Sequence, residues 1–172
     1  MKKNIYSLIL FLLAQCTLSF ASITDVSTID NVIYIKPFEA SAGSQTDISI
    51  SMKNTANIRG FQFDLFLPEG ITVVKSSKGK ILGELNPERL PEEDEHQLTF
   101  SEQPTGAIRF LCSSIYDETF TGTDGEIAKL TVNISPDMAK GEYPILMKGM
   151  LLNETDISKF YETDLIEKIV NI

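Results

Sequence analysis

Tryptophan is absent from the 172-residue sequence, histidine occurs once, at position 96, and cysteine twice, at positions 16 and 112. One histidine makes no cluster for zinc, and no Ser/His/Asp order can be assembled without that single residue. Basic side chains are scarce too. Fifteen Lys and Arg stand against 24 Asp and Glu, a net charge of −9 and a pI near 4.6. Such a balance gives no basic footprint for nucleic acid or for an anionic membrane surface. A GxSxG elbow, a phosphate-binding glycine loop and a Cys/His pair at a sensible spacing are all missing. The remainder is ordinary for a folded chain, with 42% apolar and 23% charged residues.

The first 21 residues read as a secretory signal. Lys2 and Lys3 supply the positive start, Ile5 to Ala14 the apolar stretch, and Ser19-Phe20-Ala21 the small residues that a signal peptidase reads. The apolar run falls short of the roughly 20 residues that a membrane span needs. Leu13-Ala14-Gln15-Cys16 resembles a bacterial lipobox with Gln15 in place of the usual small residue. Cleavage after Ala21 is therefore preferred, with lipidation at Cys16 as the alternative. Either route exports the protein to the cell envelope or the medium. Cleavage removes two lysines and no acid, leaving 151 residues of charge −11 with Cys112 as the remaining thiol. One cysteine forms no intramolecular disulfide, so the exported domain must be held by its core. A chain of this size buries about 68–70% of its unfolded surface, which is enough.

The dominant period is two. Ile48, Ile50 and Met52 alternate with polar neighbours, as do Phe61, Phe63 and Leu65, then Ile108, Phe110 and Cys112, then Ala128, Leu130, Val132 and Ile134. This is the pattern of strands with one face on a core and one toward water. Gly, Pro and Asx clusters at 42–44, 68–70, 104–106, 122–125 and 140–141 mark the reversals. The spacing predicts about nine strands, near 32–38, 45–53, 60–67, 71–76, 97–101, 106–113, 126–134, 142–151 and 165–171. The fold class is thus all-β, an antiparallel sandwich in one domain, 22–172. Helix-compatible stretches are short, around 85–95 and 155–161. Residues 83–96, with two prolines and six acids, read as an exposed loop with room for one helical turn.

Chemistry is hard to find in this pattern. Glu92-Glu93-Asp94-Glu95 beside His96 could attract calcium. Consecutive acids point in different directions, however, and lack EF-hand spacing, so a solvated loop is the simpler reading and no metal is assigned. A glycosidase pair can be nominated from 24 acids at will, which carries no information. Cys112 falls on the inward phase as a small buried hydrophobe. No catalytic residue and no cofactor is assigned. Phe66 and Leu111 do break the pattern, being apolar on phases otherwise occupied by Gln62, Asp64 and Arg109. Such residues mark a binding patch or are covered by a loop.

Several motifs in order resemble the cohesin domain. Ala42-Gly43-Ser44 followed by the alternating run to Asn54, then Gly60-Phe61-Gln62-Phe63-Asp64-Leu65, is similar to its opening strands, and Leu67-Pro68-Glu69-Gly70-Ile71 continues them. Gly106 to Leu111, Asp124-Gly125-Glu126-Ile127-Ala128-Lys129-Leu130 and Gly141-Glu142-Tyr143-Pro144-Ile145 resemble the later strands, over residues 32–170 in all. The resemblance implies a nine-stranded jelly roll that binds a protein, a dockerin-type module or another partner, in extracellular polysaccharide degradation. It also implies a binding face built from the third, fifth, sixth and eighth strands. Carried onto this chain, the partner-binding positions are Gln62, Asp64, Phe66, Arg109 and Leu111. The alternative is a carbohydrate-binding module on the same fold. Sugar platforms stack on exposed Trp or Tyr, and Tyr34, Tyr116, Tyr143 and Tyr161 show no coplanar spacing.

Overall fold

The computed structural model describes residues 26–93, 95–155 and 160–172. The expected signal segment 1–21, with Cys16, lies outside them. Within the described residues, alternation decides what goes inward. Phe61, Phe63 and Leu65 are buried between half-exposed Gln62, Asp64 and Phe66, and Ile108, Phe110 and Cys112 are buried beside Arg109 and Leu111. The strands are β1 (Val32–Ile35), β2 (Phe38–Glu39), β3 (Gln45–Lys53), β4 (Ile58–Phe66), β5 (Ile71–Val73) and β6 (Gly83–Leu85). They continue as β7 (His96–Glu102), β8 (Ile108–Ser114), β9 (Glu126–Ile134), β10 (Glu142–Glu154) and β11 (Phe160–Asn171).

They form two sheets. One runs β1-β3-β9-β5, with β6 also paired to β9. The other runs β2-β11-β10-β4-β8-β7. Between them lies a core whose centre is aromatic. The Phe63 and Phe110 rings stack at 4.4 Å, Phe61 lies 6.0 Å from Phe63, and Phe100 meets Phe110 edge-on at 4.8 Å. Each fully buried ring contributes roughly 1.5–3 kcal/mol by leaving water, and ring pairs add about 0.5–1.5 kcal/mol more.

The sandwich agrees with the expectation; its details correct it. Among the described residues, eleven strands replace nine. The single strand expected at 32–38 splits at Pro37, whose nitrogen has no hydrogen to donate, so β1 and β2 enter different sheets. The pairing is not wholly antiparallel, because β2 runs parallel to β11, with Phe38 opposite Val170. The segment 83–96 holds the one helical turn that the expected loop had room for, and a short strand and a buried side chain besides. Its start is β6, and Pro87–Arg89 forms one 3-10 turn, capped by Asn86 accepting from the Glu88 amide at 3.0 Å. That turn carries Arg89 into the interior, where it is 6% exposed. Ile127, on the outward phase of its run, is buried because the β3–β9 register slips between Ile50 and Ser51 and leaves it as the extra residue of a bulge.

Candidate functional site

The third, fifth, sixth and eighth expected strands correspond to β4, β7, β8 and β10, and they lie side by side as β10-β4-β8-β7. On their outer face the residues stand in rows. Gln62 is opposite Leu111 and Asp64 opposite Arg109. On one side β10 adds Leu151 to the first row, Lys148 to the second, and Leu146 beside Phe66. On the other, β7 adds Thr99 and Ser101. All five positions expected from sequence therefore share one face.

The second row is an alternating band of charge. Arg109 grips Asp64 with two bonds, Nε to Oδ1 at 2.7 Å and Nη2 to Oδ2 at 2.8 Å. The hydrogen bonding and the negative charge of Asp64 raise the Arg109 pKa above its usual value. Lys148 lies on the far side of Asp64, and its Nζ stands 5.1 Å from the centre of the Phe66 ring. Apolar surface flanks the band. Leu111 is 45% exposed, and Phe66, Leu146 and Leu151 are partly exposed. Beyond the end of β8, Ile115 and Tyr116 are exposed at 57% and 71%. Asp117 follows them at a φ of 60° and pairs with Arg59 of β4.

Strict alternation along β10 places Leu146 and Lys148 outward but not Leu151. Between Lys148 and Leu151 the β10–β4 register shifts, with Gly149 at a φ of 58°, so Met150 turns into the core and Leu151 outward. The signal available in sequence is that glycine within a strand pattern.

The single histidine, His96, is on the inner phase of β7, its ring 4.5 Å from that of Phe120. Glu92, Glu93 and Glu95 are exposed, and Asp94 lies outside the described residues. Among the described residues, no group of three or more His, Cys, Asp or Glu side chains converges as a metal site, and no helix is long and apolar enough to cross a membrane.

No protein-family model and no curated protein matches the sequence. Solved structures do match. The cohesin of OlpA from Clostridium thermocellum, determined in complex with a dockerin, superposes with a TM-score of 0.66 at 17% identity, over 83% of this chain and 98% of that one. A non-cellulosomal cohesin from the archaeon Archaeoglobus fulgidus gives 0.62 at 12% identity, over 83% and 91%. The cohesin module of a family 33 glycoside hydrolase from Clostridium perfringens gives 0.59 at 14%, over 83% and 96%. The chain has the cohesin fold.

Proposed function

We propose that the chain is an exported, non-catalytic binding module whose β10-β4-β8-β7 face docks a protein partner, of dockerin type or other, in extracellular polysaccharide degradation. Export would follow cleavage after Ala21, with lipidation of Cys16 as the alternative route. The observation that carries the binding reading is the composition of the face. Exposed Leu111 and the partly exposed Phe66, Leu146 and Leu151 frame an internally satisfied Asp64–Arg109 pair. Apolar centres with few bare charges characterise protein interfaces. The OlpA cohesin was determined bound to a dockerin, which supports a partner of that class. A carbohydrate platform has less support, because Tyr34 is buried and Tyr143 and Tyr161 are half-buried, leaving Tyr116 as the exposed tyrosine among the described residues.

Calorimetric titration of purified dockerins with the wild type, Phe66→Asp and Leu111→Asp tests this. A central interface residue contributes about 2 kcal/mol or more, so each variant should bind at least roughly 30-fold more weakly. Equal binding by all three proteins would remove the face, and silence across the panel would remove the dockerin-type partner.

A further inference from the structure

β7 has a second feature, a backbone edge with no strand partner among the described residues, distinct from the outer face just described. Gln103 N donates to Ala107 O at 2.8 Å where the β7–β8 hairpin closes. Bonded and non-bonded pairs alternate in an antiparallel ladder. The bonded pairs are therefore Ser101–Arg109, Thr99–Leu111 and Gln97–Ser113, and the N–H and C=O groups of Leu98, Phe100 and Glu102 point away from β8. Natural proteins blunt such edges with lysine, proline, bulges or very short strands. β7 is seven residues long with an unbroken register, and it contains neither lysine nor proline. The other sheet ends in short strands instead, four residues in β1 and three each in β5 and β6.

Beside this edge lies a groove of about 540 Å³, between Leu98, Phe100 and Glu102 on β7 and Lys75, Lys80 and Ile81 of the 74–82 hairpin. The hairpin closes through Ser76 N to Lys80 O at 2.8 Å, with Gly79 at a φ of 77° in its turn. It is a basic projection on a chain of net charge −9. Lys75 reaches Glu102 across the groove at 2.7 Å, whereas Lys78 and Lys80 are exposed with no ion pair to the described residues.

We propose that this groove takes an extended acidic segment of a partner protein, which adds a strand to β7 while its carboxylates meet Lys78 and Lys80. Strand addition supplies main-chain hydrogen bonds for affinity, and charge selects the segment. A second copy of the chain is disfavoured as occupant, since two molecules of the same strong negative charge repel. The probe is a fluorescent peptide of alternating valine and glutamate, matched in length to β7 and titrated by anisotropy. It should bind saturably and more weakly at higher salt, while a valine–lysine peptide should not bind. Alternate N-methylation of the probe, which removes its ladder donors and leaves the protein untouched, should abolish binding. Lys78→Glu with Lys80→Glu should weaken it about tenfold. Leu111→Asp should leave it unchanged, so this proposal and the outer-face reading fail separately. Equal binding of the N-methylated peptide, binding of polygalacturonate in place of the peptide, or dimers of the protein in sedimentation equilibrium would each overturn it.

Discussion

Arg89 is the residue whose removal should unsettle the domain most for its size. Its guanidinium, 6% exposed, donates from Nη2 to Asn54 Oδ1 at 2.8 Å, from Nη1 to the carbonyls of Met52 and Gly125 at 3.2 Å each, and from Nε to the Thr121 carbonyl. Three separate segments, the end of β3, the 121–125 loop and the 3-10 turn, thus hang on one side chain. Burial pushes its pKa below the usual arginine value, opposed by the nearby charge of Asp124. Arg89→Ala strips these acceptors of a charged donor. Gly125 O suffers least, because it also accepts from Met52 N at 2.9 Å. Removing one member of a buried charged network costs roughly 3–5 kcal/mol. At about 2–4 °C per kcal/mol for a domain of this size, Tm should fall by on the order of 10 °C. Arg89→Lys keeps the charge and loses the planar fork, so it should recover about half of the stability. Urea unfolding followed by circular dichroism measures both, with an unchanged slope m as the check that the denatured state is the same. Arg89→Ala within about 1 kcal/mol of wild type would refute the reasoning, because the desolvation of the guanidinium would then cancel all that its bonds contribute.

Two further outcomes follow from neighbouring geometry. The Tyr34 hydroxyl donates to Asp124 Oδ1 at 2.7 Å, and burial together with Asp124 pushes its pKa from 10.0 up to about 12. The fold therefore keeps a proton that the unfolded chain has lost, and stability present below pH 10 should decline by roughly 2–3 kcal/mol as pH climbs to about 12. Tyr34→Phe should flatten that decline in urea midpoints measured at stepped pH, and identical slopes for the two proteins would sink the assignment. At Gly83 a Cβ would lie 2.5 Å from Phe100 Cζ and 2.6 Å from the Lys129 carbonyl. Gly83→Ala should therefore cost about 1–3 kcal/mol by overpacking, read as a lowered Tm; an unchanged Tm would mean that β6 and β7 are free to part.

The sandwich was legible because its main strands carry a period of two over most of their length, and Phe61, Phe63 and Phe110 fall where that period puts them. Gln62, Asp64, Phe66, Arg109 and Leu111 share a face for the same reason, since one phase of two paired strands must lie on one side of the sheet. What escaped the pattern are the places where the period breaks. A bulge at Gly149 turns Leu151 outward, another in β9 buries Ile127, and Pro37 parts β1 from β2. Arg89 escaped for a different cause. Its acceptors are backbone carbonyls and one amide oxygen brought together by tertiary folding, and no local sequence signal marks a carbonyl as waiting for a donor.

The packing beneath the outer face bears on the binding proposed for it. Phe61 and Phe63 on β4, Phe110 on β8 and Phe100 on β7 form a continuous set of ring contacts, and they occupy the inward phase of the strands whose outward phase carries Gln62, Asp64, Leu111 and Thr99. A close-packed core transmits little slack. Side chains above it stand on fixed Cα positions, and Asp64 and Arg109 hold one another in a two-bond geometry before any partner arrives. Binding then orders few additional torsions, which is the term that otherwise consumes about 0.5–1.5 kcal/mol per flexible side chain. The pair itself adds little to the fold, about 1 kcal/mol at most for so exposed a bridge. In the proposed interface its value would be to keep two charges mutually satisfied while Leu111 and Phe66 meet the partner. On this reasoning Asp64→Asn, which leaves the Arg109 cation unpaired at an interface, should impair partner binding far more than it lowers Tm. A loss of Tm matching the loss of affinity would place the pair in the fold instead.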